Sequence, residues 1–181
     1  MSGPPAGWTL GNDRPFDDRG IAVRPEGRAA DRLEVPGDEE NCGGPTARAI
    51  SRDGKVAVSA GCDGRVVVWD YPARKVVGKP LAAFRRLAVS DPGLAISADG
   101  RRVAVASPED HGVKGTGLSL TVYDVETRTA VLGPLDLRSP GVEQADALAF
   151  SPDGSLIAVA IARGGADATA EIRLWLVPAK K

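Results

Sequence analysis

Several residue types on which common functions depend are scarce in this chain of 181 residues. It holds one histidine, His111, and two cysteines, Cys42 and Cys62. A lone histidine without a second ligand cluster is a weak basis for a metal centre. Two cysteines without a secretion signal read as free thiols rather than as a disulfide framework. Long hydrophobic runs are missing too. The longest, Leu156 to Ala162, has seven residues, far short of a bilayer span. Met1-Ser2-Gly3-Pro4-Pro5 has no basic start and no apolar stretch behind it, so a cytoplasmic location is the expectation. A strong charge of either sign is lacking. At a net charge of −1 there is no general pull toward nucleic acid or an anionic membrane. The basic pairs Arg85-Arg86 and Arg101-Arg102 are too short to change that reading. No glycine-rich phosphate loop leads from a strand into a helix, and no helix of useful length is apparent.

What the chain does have is 22 glycines and 14 prolines beside 43% hydrophobic residues. Many short apolar runs lie between Gly, Pro and Asp turns, which is an all-β pattern. Charge is uneven along it. Residues 1–45 carry five Arg against nine Asp/Glu, and residues 46–181 carry 18 Lys/Arg against 15 Asp/Glu. Residues 1–19 are therefore expected to be disordered or loosely packed. Residues 20–45 are read as an acidic segment able to supply an edge strand from Gly20-Ile21-Ala22-Val23 or Leu33-Glu34-Val35.

Three segments repeat: Ala49-Ile50-Ser51-Arg52-Asp53-Gly54, Ala95-Ile96-Ser97-Ala98-Asp99-Gly100 and Ala149-Phe150-Ser151-Pro152-Asp153-Gly154. Each precedes an aliphatic run and then an aromatic-ended strand, at Val68-Trp69-Asp70, Val122-Tyr123-Asp124 and Leu174-Trp175-Leu176. Trp69 to Gly100 and Tyr123 to Gly154 are both 31 residues. Gly54 to Trp69 is 15, Gly100 to Tyr123 is 23 and Gly154 to Trp175 is 21. The extra residues are assigned to Ser107–Gly117 and Ala162–Ala170, which are polar and Gly-rich, as loop insertions in a repeated unit.

Ser-Xaa-Asp-Gly between apolar runs is turn chemistry. Ser and Asp bond the local backbone, and Gly accepts positive φ. Ile172 and Leu174 alternate with Arg173 and Trp175, as a strand requires. After each aromatic comes a polar turn, Tyr71-Pro72-Ala73-Arg74 or Val125-Glu126-Thr127-Arg128, and then another apolar stretch. Four short strands joined by hairpins make a propeller blade.

The period, the Ser-Pro-Asp-Gly corner and the Trp69-Asp70 dipeptide resemble the WD40 repeat over about residues 45–177. The resemblance implies about three four-stranded antiparallel blades at 46–91, 92–145 and 146–178. It also implies a structural network of a His before the first strand, a Ser or Thr on the second, an Asp in the next turn and a Trp on the third. The first unit keeps Ser59, Asp63 and Trp69 without the His; the second has Tyr123 for Trp, and the third has Leu176 for Asp. These departures from the family pattern point to a divergent, bacterial-style repeat. Three blades do not close a ring, and an open arc leaves end-blade faces without partners. The chain is then a piece of a longer propeller, half of a six-bladed dimer, or an arc that leans on another protein.

For function, Asp53, Asp99 and Asp153 invite a catalytic or metal reading, but their matching turns make them corner residues. His111 with Glu109 and Asp110 reads as an exposed loop. Cys62 reads as a small packing residue, and Trp69, Tyr123 and Trp175 as packing aromatics. Asp53, Gly54, Asp63, Trp69, Asp70, Asp99, Gly100, Tyr123, Asp124, Asp153, Gly154 and Trp175 are the expected structural repeat positions. In the family the loops between the second and third strands share one face of the propeller, and loops on rigid scaffolds carry function. The expected partner-binding face is Pro108–Gly117 and Arg163–Ala170, with Glu109, Asp110, His111, Lys114, Arg163 and Asp167 as candidate contacts. The resulting expectation is a non-catalytic scaffold for other proteins, a second copy of the chain among them, with no cofactor. The alternatives are a propeller enzyme of the metal-dependent hydrolase or lactonase type, or a fragment of a larger WD40 protein with no role of its own.

Overall fold

The computed structural model describes residues 8–9, 16–17, 20–25, 31–34, 45–61, 65–83, 93–110, 116–137, 142–163 and 169–179. Every regular element among them is a β-strand. The head contributes β1 (Trp8–Thr9), β2 (Phe16–Asp17), β3 (Gly20–Pro25) and β4 (Asp31–Glu34). The first repeat contributes β5 (Pro45–Ile50), β6 (Val56–Gly61), β7 (Arg65–Asp70), β8 (Lys75–Val76) and β9 (Ala82–Ala83). The second contributes β10 (Gly93–Ile96), β11 (Arg102–Asp110), β12 (Thr116–Asp124) and β13 (Ala130–Asp136). The third contributes β14 (Val142–Phe150), β15 (Leu156–Arg163) and β16 (Thr169–Leu176).

Each repeat is one antiparallel meander, so the repeated unit of the sequence is a blade. The second blade runs β10-β11-β12-β13. In the first, β8 and β9 both pair with β7, so the fourth strand is broken in two. The third, β14-β15-β16, has three strands among the described residues. The second and third strands of all three blades keep one register: Val56 faces Asp70, Arg102 faces Asp124 and Leu156 faces Leu176. The first strands of neighbouring blades lie side by side, β10 between β5 and β14.

Two cores lie between the blades. Val58, Ala60, Val66 and Val68 of the first blade pack with Val103 and Val105 of the second. Ala104, Ala106, Leu120 and Val122 from the other face of the second blade pack with Ile157, Val159 and Ile161 of the third. The period-2 alternation of a strand thus gives the middle blade an apolar row for each neighbour.

Three expectations are corrected. The extra residues of the second and third repeats are not simply loop. Pro108 faces Leu118, Glu109 faces Gly117 and Asp110 faces Thr116, so most of the second insertion lengthens a hairpin. Ala162 faces Ala170 and Arg163 faces Thr169 in the third. Residues added evenly to both arms of an antiparallel pair continue the ladder and satisfy their own backbone groups, which a loop does not do. Next, β14 begins at Val142, inside the span expected for the second blade. Irregular pairing between Val142 and Ala147 lets this strand run past the repeat boundary. Lastly, the edge strand expected from residues 20–45 forms, but among the described residues it pairs within the head and not with a blade. β3 pairs with β1, β2 and β4, and both of its edges are occupied there. Residues 1–19 contribute β1 and β2 to that pairing.

Candidate functional site

The residues singled out as repeat positions build one structural unit three times. Ser51 Oγ donates to Asp53 Oδ1 at 2.7 Å, Ser97 Oγ to Asp99 Oδ1 at 2.6 Å and Ser151 Oγ to Asp153 Oδ1 at 2.5 Å. The same Oδ1 accepts the amide two residues on, from Lys55, Arg101 and Ser155. The serine oxygen in turn accepts the amide of the first residue of the following strand, Val56, Arg102 or Leu156, at 2.9–3.0 Å. The amides of Gly54, Gly100 and Gly154 close the turn on the serine carbonyls at 2.9 Å. All three glycines have φ near +70°, a conformation that strains any residue with a Cβ. Local hydrogen bonding of this kind is why Ser and Asp favour turns.

These bonds hold the carboxylates in their charged form. The Ser151 hydroxyl, then the Ser155 amide and hydroxyl, hold Asp153 down to about 2. The Ser51 hydroxyl and the Lys55 amide lower Asp53. Burial pushes Asp99 upward, and the Ser97 hydroxyl and Arg101 amide together overcome it, so the net direction is down. Lys55 Nζ lies 3.5 Å from Asp53 Oδ2, and Arg101 Nε lies 4.0 Å from Asp99 Oδ2. Acceptors engaged by their own turn are poorly placed to act as bases toward a substrate. Among the described residues no group of three or more His, Cys, Asp or Glu side chains gathers where it could hold a metal.

The corners also join the blades. The amide of Arg52 donates to the carbonyl of Ala98, one corner to the next, at 3.1 Å. A Cβ on Gly100 would lie 3.0 Å from Val56 Cγ2 and 3.3 Å from Ser51 Cβ. The Ser-Xaa-Asp-Gly signal was readable in the sequence; that Gly100 faces Ser51 and Gly154 faces Ser97, each the serine of the preceding corner, was not.

Asp70 and Asp124 cap the opposite turns. Asp70 Oδ1 accepts the Ala73 amide, and Asp124 Oδ1 accepts the amides of Glu126 and Thr127. Arg74 and Arg128 follow at positive φ, at equivalent places in the two turns. The guanidinium of Arg128 reaches the carbonyls of Val77 and Lys79 and so ties the second blade to the first. Arg173 Nη1 donates to the Leu137 carbonyl at 3.1 Å and ties the third to the second. Burial pushes the Tyr71 hydroxyl up to about 12.

Of the expected network, Trp69 Nε1 donates to Ser59 Oγ at 3.0 Å, both side chains buried. Asp63 lies outside the described residues. Val105 and Val159 stand where Ser59 stands, so the second and third blades lack that hydroxyl. Tyr123 and Trp175 are half-buried against the two inter-blade cores. The structure therefore makes packing residues of all three aromatics.

The expected partner-binding contacts fall only partly on described residues. His111, Lys114 and Asp167 lie outside the described residues, as does Cys62. The backbones of Glu109 and Asp110 belong to β11, and that of Arg163 to β15. Both hairpins run beyond the point at which β6 ends, and residues 111–115 and 164–168 join their arms.

Consecutive antiparallel meanders of three to five strands, first strands side by side and faces packed on one another, define a WD40-like β-propeller fold. Residues 41–70 match the family model for the WD domain, G-beta repeat, and cover the first blade's corner and its Trp69-Asp70 strand end. The chain is similar to the solved crystal structure of the tricorn protease, with a TM-score of 0.59 and 18% identity over 88% of this chain. It spans 16% of that protein's length, and the likeness is one of fold. No characterised protein sequence matches the chain. No helix among the described residues is long and apolar enough to cross a membrane.

Proposed function

We propose that the chain is a non-catalytic WD40-type scaffold that binds other proteins, in the cytoplasm and without a cofactor, through the hairpin ends of its second and third blades. The observation that carries this reading is the lengthening of those two hairpins. β11 and β12 have nine residues each, β15 and β16 eight, against six in β6 and β7. A paired ladder is a stiff support, and residues 111–115 and 164–168 are the segments of sequence that connect its arms in the second and third blades. Recognition segments on rigid scaffolds lose less entropy on binding than free loops do. The carboxylates that would serve a propeller hydrolase, Asp53, Asp99 and Asp153, are engaged by their own corners, which favours the scaffold over the enzyme. The net charge of −1 argues for protein partners over nucleic acid or an anionic membrane.

Photo-crosslinkers placed at positions 112 and 166 identify the partner. A variant whose residues 111–115 are replaced by Asn-Gly is then titrated against that partner in purified form. The expected result is unchanged thermal unfolding and a loss of affinity of about tenfold or more, roughly 1.4 kcal/mol. Unchanged affinity overturns the assignment of the hairpin ends. One metal ion per chain, retained through purification and removable with loss of a hydrolytic activity, would establish the enzyme instead.

A further inference from the structure

Leu174 and its neighbours on β16 form an apolar row at an open sheet edge. Ile172 is 71% exposed, Leu174 63% and Leu176 76%. Between them Glu171, Arg173 and Trp175 are half-buried on the opposite side of the strand. β16 pairs with β15 on one side, and no described strand lies along its other side. The corresponding strands of the other blades are covered: β12 by β13, with Leu120 facing Leu135 and Val122 facing Leu132, and β7 by β8 and β9. An uncovered edge is a template for another strand unless charge, proline or a bulge blunts it. From Thr169 to Leu176 the free edge has no proline, its exposed apolar row has no charge, and its pairing with β15 is regular.

We propose that two copies of this chain associate by antiparallel pairing of their β16 strands about a twofold axis at Leu174. Two observations select a second copy and this register. Only when the strand is centred there do its three large exposed apolar residues all face one another. With Leu174 on the axis, Leu174 faces the partner's Leu174, and Ile172 faces the partner's Leu176. Arg173 then faces the partner's Trp175, a favourable cation–aromatic pair. Centred on Arg173 instead, two guanidinium groups oppose each other, which is destabilising across a sheet. Arg173 is already fixed by Glu171 at 2.6 Å and by the Leu137 carbonyl, so its position is set before association. The other observation concerns a head-to-tail pairing, which would make a six-bladed ring. That arrangement needs the far face of the first blade to receive the third blade of the partner. Ala57, Ser59, Val67 and Trp69, which alternate with the residues packed on the second blade, make up that far face, and all are already buried. The twofold pairing uses the end face that is exposed among the described residues, and it meets the symmetry rule that the same patch serves both partners.

The pairing is independent of what the hairpin ends bind, and its test reads mass, not partner capture. Light scattering on the full chain should give twice the 18.7 kDa of one copy. Leu174→Lys should give a monomer with unchanged circular dichroism, whereas Ile50→Lys, an exposed change on the first blade, should leave the dimer intact. A monomeric wild type at about 100 μM, the weak end of specific association, overturns the proposal. So does a Leu174→Lys chain that is folded and still dimeric. The register has its own check. With Cys42 and Cys62 replaced by Ser, Leu174→Cys should cross-link to its copy on mild oxidation, because facing Cβ atoms lie about 4.5–5.5 Å apart. Ile172→Cys should not cross-link, being offset by four residues from its own copy. Cross-linking of Ile172→Cys in preference to Leu174→Cys overturns the twofold at Leu174.

Discussion

The first and third blades begin from the same corner, with the same Ser-Asp bond, the same glycine conformation and the same register between second and third strands. They diverge on the face turned away from the second blade. In the first, that face is Ala57, Ser59, Val67 and Trp69, all buried, with Trp69 2% exposed and hydrogen-bonded through its indole. In the third, the corresponding strand carries Ile172, Leu174 and Leu176 into solvent, and Trp175 turns toward the core shared with the second blade. The corner therefore fixes how a blade starts and which way its strands run. Whether a blade is buried on both faces depends on what packs against it, and a repeat motif carries no information about that neighbour.

The comparison is broken most severely at its tryptophans. Trp69→Ala removes a fully buried side chain and leaves the Ser59 hydroxyl without its donor. The expected loss is about 3–5 kcal/mol, as for other buried aromatic truncations. Trp175→Ala removes a half-buried ring and should cost less than half as much. Urea unfolding of the two variants measures the difference, and equal costs would mean that the faces of the two blades are equally packed.

A smaller effect separates the two inter-blade junctions at their glycines. Gly100 has φ +71° and a Cβ there would press on Val56 of the first blade at 3.0 Å, whereas at Gly154, φ +72°, the nearest atom is Ser97 Cβ at 3.8 Å. Both substitutions by alanine incur the left-handed backbone strain of roughly 1 kcal/mol. Gly100→Ala should incur an overpacking cost of about 1 kcal/mol besides. Thermal unfolding should rank Gly100→Ala below Gly154→Ala, and the reverse order would show that Val56 yields freely.

The repeat itself was legible because its signals are local. Serine, aspartate and glycine at fixed spacing satisfy one another within six residues, and the aromatic-ended strand lies at a fixed distance from the next corner. The WD40 likeness, the all-β class and the packing role of Trp69, Tyr123 and Trp175 follow from those signals. The hairpin extensions were not legible, because Gly117, Pro108 and the polar residues around them carry loop propensities. Cross-strand pairing such as Pro108 with Leu118 overrides propensity at strand ends. The pairing of the head was not legible for a related reason. The apolar residues of Gly20–Val23 indicate a strand but not its partner, and β3 pairs within the head. Nor does sequence show which end blade is covered. Ile172 and Leu174 have the alternation of a buried row and, with Leu176, are the most exposed large apolar residues among those described.

Ser59 offers a way to make the first blade resemble the other two. Ser59→Val installs the residue type of Val105 and Val159, and it leaves the buried Trp69 N–H without its 3.0 Å acceptor. An unsatisfied buried donor costs about 1–3 kcal/mol, partly offset here by the added methyl groups. The expected net loss is about 1 kcal/mol, with a blue shift in the fluorescence of Trp69 as its indole loses a hydrogen bond. Val105→Ser in the second blade, where Tyr123 replaces the tryptophan, should also destabilise. There the hydroxyl enters an apolar junction with no indole to bond. A gain in stability from either change would contradict the assignment of the Trp69–Ser59 pair to the first blade alone.

The smallest effect is in acid, and it distinguishes corners that are otherwise alike. A carboxyl whose folded value lies below its unfolded value near 3.9 stabilises the fold above that value and loses the contribution as pH falls through the folded value. For Asp153, held at about 2, the window runs from about pH 4 down to about pH 2, with stability falling as protons are added. Asp53 and Asp99 act in the same direction, Asp99 with burial working against its hydrogen bonds. Melting temperature should therefore drop with acidification across this window in the wild type. Asp153→Asn should flatten that slope more than Asp99→Asn, since nothing at the Asp153 corner opposes the Ser151 and Ser155 bonds as strongly. The measurement is a series of thermal melts between pH 5 and 2 on the three proteins. An unchanged slope in Asp153→Asn would mean that its bonds to Ser151 and Ser155 do not favour the charged carboxylate, and that the three corners are alike in geometry only.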